Sequence, residues 1–315
     1  MLFFFEVALL FSILFPIFLC ISLGYVSVRL NLFTPEQIKG LGAFVIKIAL
    51  PAYILHALAS KNLKEIWLPS YLIAYMGGSL LLFGSAYLLY RYYFRNTLTQ
   101  SAVLSMGAAM SNTGLIGTAI LPLLMASHAV VYISLTLMIE NLVMITMVLL
   151  LAEAGLHGQA RTDIMLKKTM ANLIKTPLVV AIFIAVFCVL FEVHLPPLLD
   201  QVLKNIGQSA SPLALFVIGG GLVGLGFKTI NIQVLSVVFS NILIMPLVIY
   251  GMFSILPNVS DEMKHAGTLI AALPMPIIFG ILGQIYNLEK QALSALMLST
   301  ILGFVGVSIL IMQWW

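Results

Sequence analysis

The sequence predicts an all-α polytopic membrane protein: ten transmembrane helices, built as two inverted five-helix repeats, with helices 4 and 9 broken. Three observations carry this prediction. Charge is scarce, the apolar runs have bilayer length, and one half of the chain echoes the other. Of 315 residues only 8% are Asp, Glu, Lys or Arg, and 62% are hydrophobic, against roughly 25% charged in a soluble domain. A mean hydropathy of +1.12 points the same way. So few charges could not cover a soluble surface, and disordered chains are polar and charge-rich. The two cysteines cannot make a disulfide framework.

A membrane helix needs about 20 apolar residues. Ten such segments run between clusters of charge, Asn, Pro and Gly: 5–28, 37–57, 67–90, 99–125, 129–152, 169–191, 199–225, 232–255, 263–285 and 290–312. Connections are short, and the longest, 153–168, is expected to be a cytoplasmic linker between a first repeat (1–152) and a second (169–315). Barrel strands of about 10 alternating residues do not fit runs of this length. The N-terminus lacks a basic region and its apolar run is long, so it is expected to be a retained first span rather than a cleaved signal.

Orientation follows from the cations. With ten spans, Arg29, Arg91, Arg95, Arg161, Lys290 and five more fall on one side, against Lys61, Lys64, Lys204 and Lys264 on the other. The richer side is expected to be cytoplasmic, with both termini outside. The net charge of +4 is then anchoring charge, and no nucleic-acid partner is needed.

The halves repeat at nearly one offset. Pro16 and Pro177 stand 161 apart, as do Pro51 and Pro212; Ala108-Ala109 recurs 163 on as Ala271-Ala272, and Gly117 as Gly280. An odd number of crossings per repeat inverts the second copy. Inverted repeats are a transporter architecture, with the binding site at mid-depth between discontinuous helices.

Spans 4 and 9 carry helix breakers at that depth. Span 4 has Ser111-Asn112-Thr113-Gly114, and span 9 has Pro274-Met275-Pro276. Each proline removes a backbone donor and clashes with the preceding turn. Ser, Asn and Thr side chains compete with helical bonding. Non-helical backbone at this depth survives only when buried in protein or beside a wet cavity. The free N–H groups and positive dipole ends at such breaks attract an anion, and Asn112 and Thr113 would add side-chain bonds. The structural alternative is a pair of kinks that only shape packing, which the matching positions of the two breaks disfavour.

These residues resemble the auxin efflux carrier family, which includes plant auxin exporters and bacterial organic-acid carriers. The resemblance spans the chain. It is sharpest at Asn112-Thr113 with Gly117, and at Ala272-Leu273-Pro274 followed by Tyr286-Asn287. It implies that spans 4 and 9 cross, that Asn112 and the crossing backbone hold a substrate carboxylate, and that Pro274 is the opposing proline. It also implies a scaffold of spans 1, 2, 6 and 7, a mobile core of the rest, elevator-type movement, a homodimer and a bacterial inner membrane. The family often has proline two residues after the glycine; here Ala119 stands there and Pro122 is the nearest. That departure leaves the outer half of span 4 to be determined.

Lys47 and Glu140 fall at mid-depth in spans 2 and 5. Buried charge there costs on the order of 3 kcal/mol, so such residues tend to be functional. Lys47 either attracts the anion or pairs structurally, and both readings stay open, as does a Lys47–Glu140 pair. Glu140 is the one mid-depth carboxyl, a candidate to carry a coupling proton, and Asn141 beside it joins the candidate substrate site. Lys175 is expected to snorkel. His56 and His128 are expected at the outer interface, and Cys20 and Cys188 in packing. Gly219-Gly220-Gly221 with Gly224 forms a small-residue face for close helix approach; the partner is open between the same chain and a dimer, and the resemblance favours a dimer contact.

The expected function is a secondary transporter of a small organic anion, without cofactor or metal. An intramembrane enzyme is disfavoured because HExxH, GxSxG and paired intramembrane aspartates are lacking. The alternative is a channel or a transporter-like sensor that binds a carboxylate without bulk flux.

Overall fold

The computed structural model describes residues 15–16, 19–59, 67–125, 128–157, 177–223 and 230–315. Most of the first span, the greater part of the expected linker, Lys175 and Gly224 lie outside the described residues. Within them every regular element is a helix. Five continuous helices are long and apolar enough to cross a membrane: α2 (Pro35–His56), α3 (Pro69–Tyr93), α6 (Ala129–Leu156), α10 (Ile232–Ile255) and α13 (Glu289–Trp314). A shorter apolar helix, α1, covers Leu19–Arg29. The remaining helices are α4 (Leu98–Ala109), α5 (Thr118–Met125), α7 (Pro177–Leu190), α8 (Pro197–Gln208), α9 (Ala210–Gly221), α11 (Asp261–Ala271) and α12 (Ile277–Ile285).

Local sequence sets the helix starts. Thr34 caps α2, its hydroxyl accepting from the Gln37 N–H while the Gln37 side chain accepts from the Thr34 N–H. Thr97 and Gln100 make the same reciprocal box at α4. Each box satisfies two donors that a helix start leaves orphaned. Inside the long helices, single π-helical turns interrupt the α geometry, among them Val45–Ala49, Ile139–Ile145 and Ser240–Ile244. Lys47, Glu140, Asn141 and Asn241 all lie in these turns. A π-turn inserts a residue and re-aims side chains, and it is frequent at functional sites.

Span 7, read from the sequence as one segment, is two helices. The chain turns at Ser209, whose hydroxyl donates to the Ile206 carbonyl at 2.7 Å. Pro212 has no N–H for the Gln208 carbonyl, so the α-helix cannot run through unbroken. The outer half of span 4, by contrast, stays helical through Pro122, in α5.

Helices α2, α7, α8 and α9 pack against one another, as do α3, α4, α6, α10, α11, α12 and α13. The two sets also meet: α9 touches Thr113–Gly117 and α5, and α2 touches α6. Helices α1 and α9 cross at backbone contact: a Cβ on Gly24 would overlap the Phe216 carbonyl oxygen, and one on Gly219 the Ile21 carbonyl oxygen. Gly220 packs on the Ile38 side chain. Of the two partners left open, Gly219 and Gly220 therefore take the same chain, against the dimer contact that the resemblance favoured, because the space of their missing side chains is filled by α1 and α2. Gly219→Leu is therefore expected to destabilise the protein by at least about 1–3 kcal/mol, since a backbone carbonyl cannot rotate away. Gly221 faces open space, and Gly221→Ala is expected to be neutral. Fluorescence-detected size exclusion after a heating series checks both.

Candidate substrate site at the two helix breaks

Helix α4 ends at Ala109, and Met110 is extended at φ −133° and ψ 148°. The helix restarts with the π-turn Thr113–Gly117, where the Ile116 and Gly117 N–H groups both donate to the Asn112 carbonyl at 3.0 and 3.1 Å. Helix α11 ends at Ala271, and α12 restarts after Pro276, itself extended at φ −71° and ψ 145°. Pro276 biases Met275 away from helical geometry. The two breaks meet: the Asn112 N–H donates to the Pro274 carbonyl at 2.7 Å.

The freed backbone groups at this depth find specific partners, as burial requires. Glu140 is 4% exposed, and its Oε1 accepts three bonds. Thr113 Oγ1 donates at 2.8 Å, Ser111 Oγ at 3.1 Å and the Ser111 N–H at 3.4 Å. The Tyr75 hydroxyl lies 3.2 Å from Ser111 Oγ. At the second break the Met275 N–H donates to Ser299 Oγ at 2.8 Å. The Ser299 hydroxyl donates to Asn241 Oδ1 at 2.9 Å, and Asn241 Nδ2 donates to the Met110 carbonyl at 2.9 Å.

The structure thus brings together Ser111, Asn112, Thr113, Pro274, Met275 and Glu140. Ser111, Asn112, Thr113, Pro274, Met275 and Pro276 are buried, and Gly114 is half-buried against Leu50 Cδ2 at 3.1 Å from where its Cβ would stand. Among the described residues the Asn112 side-chain amide makes no protein hydrogen bond, although Asn112 is 5% exposed. Asn141 turns to its own helix, its Nδ2 donating to the Leu137 carbonyl at 2.8 Å. Lys47 is exposed, and no ion pair joins it to Glu140 among the described residues. Beyond the breaks, His56 pairs with Asp200 at 2.6 Å and His128 with Glu262 at 2.9 Å.

Sequence reasoning missed Tyr75, Asn241 and Ser299. A signal existed for Asn241, which is a lone amide in the middle of the apolar run 232–255. Unlike Lys47 and Glu140 it carries no charge to mark it. The glycine that admits the second break was missed as well: a Cβ on Gly303 would stand 2.8 Å from Pro274 Cγ.

Long apolar helices, with two interrupted helices meeting at buried polar groups, define an integral membrane protein. The chain belongs to the membrane transport protein family, whose model matches residues 9–312; this is the auxin efflux carrier family of the resemblance. It is similar to a protein of Rhizobium meliloti (strain 1021) named "Putative malonate transporter", 22% identical over 287 residues that cover 91% of this chain and 90% of the relative. It is also similar to "Uncharacterized transporter YfdV" of Escherichia coli (strain K12), 24% identical over 301 residues, 93% of each chain. The family and these relatives are transporters, not enzymes.

Proposed function

We propose that the chain is a secondary carrier that moves a small organic anion, a carboxylate, through a site where the two breaks meet. One observation carries this reading. The Asn112 N–H is bonded to the Pro274 carbonyl at 2.7 Å, while the Asn112 side-chain amide beside it makes no protein bond among the described residues. A carboxylate can accept from that amide and from the helix starts at Thr113 and Ile277, whose dipoles favour an anion. The name of the Rhizobium relative makes malonate the first substrate to try.

The finer architecture belongs to the same proposal. Ten spans in two inverted repeats are supported by two breaks at corresponding places. Ser111 N–H bonds Glu140 in the next long helix, α6, and Met275 N–H bonds Ser299 in the next long helix, α13. The domain reading is a first repeat 1–152, a linker 153–168 and a second repeat 169–315. Elevator movement of spans 3–5 and 8–10 against spans 1, 2, 6 and 7 is supported by the way these helices pack among themselves. Glu140 is the proposed proton carrier, since no base is bonded to it and its donors are hydroxyls and one amide. Lys47 would act by attracting the anion from outside the site, and Asn141 by shaping the π-turn that presents Glu140. Operation as a homodimer in the bacterial inner membrane, with both termini outside, rests on the family and the cation count.

A thermal-shift screen of carboxylates at two pH values tests the proposal. Ligand that binds only the native state raises apparent stability by mass action. Malonate or a related carboxylate is expected to raise Tm saturably. A complete set of small carboxylates that all leave Tm unchanged, at both pH values, would overturn it.

A further inference from the structure

We infer that Asn241 and Ser299 are positioning residues: an uncharged relay that ties the two breaks together and selects which backbone groups remain for the anion. The inference rests on the breaks being the substrate site. Neither residue was marked by charge, and neither is adjacent in sequence to either break.

The relay is continuous and runs in one direction. Met275 N–H donates to Ser299 Oγ at 2.8 Å, the Ser299 hydroxyl donates to Asn241 Oδ1 at 2.9 Å, and Asn241 Nδ2 donates to the Met110 carbonyl at 2.9 Å. Asn241 and Ser299 are both 0% exposed, so the relay is shut off from bulk water. The chain consumes a carbonyl freed at the first break and an N–H freed at the second. With the direct bond from Asn112 N–H to the Pro274 carbonyl, the breaks are held at two points. Two points fix an orientation where one leaves a pivot.

Helices α10 and α13 converge to build this second tie. Asn241 sits in the π-turn Ser240–Ile244 of α10. On α13, Ser299 and Gly303 lie one turn apart, and Gly303 lets that face seat against Pro274. The first break has a different holder, Glu140, for Ser111 and Thr113. The two clamps therefore differ in kind. One has an ionisable carboxyl that can change state during transport, and the other offers only neutral amide and hydroxyl groups. A fixed tie beside a changeable one would keep the site shaped for the carboxylate while the Glu140 side responds to its ion.

Uptake of labelled malonate into proteoliposomes tests the relay through KM and Vmax of Ser299→Ala, Asn241→Ala and Ser299→Thr. Each alanine variant loses two buried bonds and should raise KM at least about tenfold, with Vmax less affected. Ser299→Thr retains the hydroxyl and should stay within about twofold of the wild type. A wild-type KM in both alanine variants would overturn the inference, as would a loss confined to Vmax that threonine does not rescue. If the wild-type protein moves and binds no carboxylate, the substrate reading fails and the relay is read without ligand. The Tm losses of Asn241→Ala and Ser299→Ala should then be less than additive in the double variant, and full additivity would overturn the relay.

Discussion

Glu140→Ala should sharply lower the melting temperature of the purified protein, whereas Glu140→Gln should fold almost normally and yet transport without wild-type pH dependence. The reason is the geometry of one oxygen. Glu140 Oε1 accepts from Thr113 Oγ1, Ser111 Oγ and the Ser111 N–H. Alanine orphans the buried Ser111 N–H, at about 1–3 kcal/mol, and leaves the Ser111 and Thr113 hydroxyls only each other and Tyr75 as partners. Ser111 and Thr113 are 1% and 0% exposed, away from bulk water. Against a total stability of about 5–15 kcal/mol that loss is severe. Glutamine keeps an oxygen where Oε1 stands, and so keeps the first break in place. It cannot exchange a proton. Melting curves of the two variants, with uptake measured at acid and alkaline pH, separate the structural role from the coupling role. Glu140→Gln with an unchanged pH profile would remove proton coupling from the account.

Asn112→Ala should have the opposite signature: a stable protein without flux. Its backbone N–H still reaches the Pro274 carbonyl, because that 2.7 Å bond uses no side-chain atom. The amide itself has no protein partner among the described residues, so its removal orphans nothing. On the proposed reading, the variant loses a donor to the substrate carboxylate. Charge-assisted bonds to a carboxylate contribute about 1.5–3 kcal/mol, which lowers affinity roughly tenfold to a hundredfold. Binding by calorimetry, beside a melting curve, checks both halves. A destabilised Asn112→Ala protein would mean that the amide is structural.

Much of the fold was legible because apolar length and helix breakers act locally. The continuous helices α2, α3, α6, α10 and α13 lie within a few residues of the segments read from the sequence. The breaks at Asn112 and at Pro274–Pro276 were legible because proline lacks a donor and Ser-Asn-Thr-Gly competes with the helix. The interruption at Ser209 went unread, although Pro212 announced it, because the hydrophobic run continues through it. Partner choice was not legible. Glu140 binds Ser111 and Thr113 rather than Lys47, and Asn241 reaches Met110 across 131 residues. A single sequence does not encode such pairings in any local pattern. The π-turns were equally hidden, since Ile139–Ile145 contains neither Pro nor Gly to mark an irregular turn.

The central claim is that this chain carries a carboxylate through the meeting point of the two breaks. Uptake of labelled malonate into proteoliposomes, with no ATP present, tests it most directly when wild type and Asn112→Ala are compared at equal reconstituted protein. The account predicts saturable uptake by the wild type, competed by unlabelled carboxylates, and loss of that uptake in Asn112→Ala. Equal saturable uptake by both proteins would contradict it.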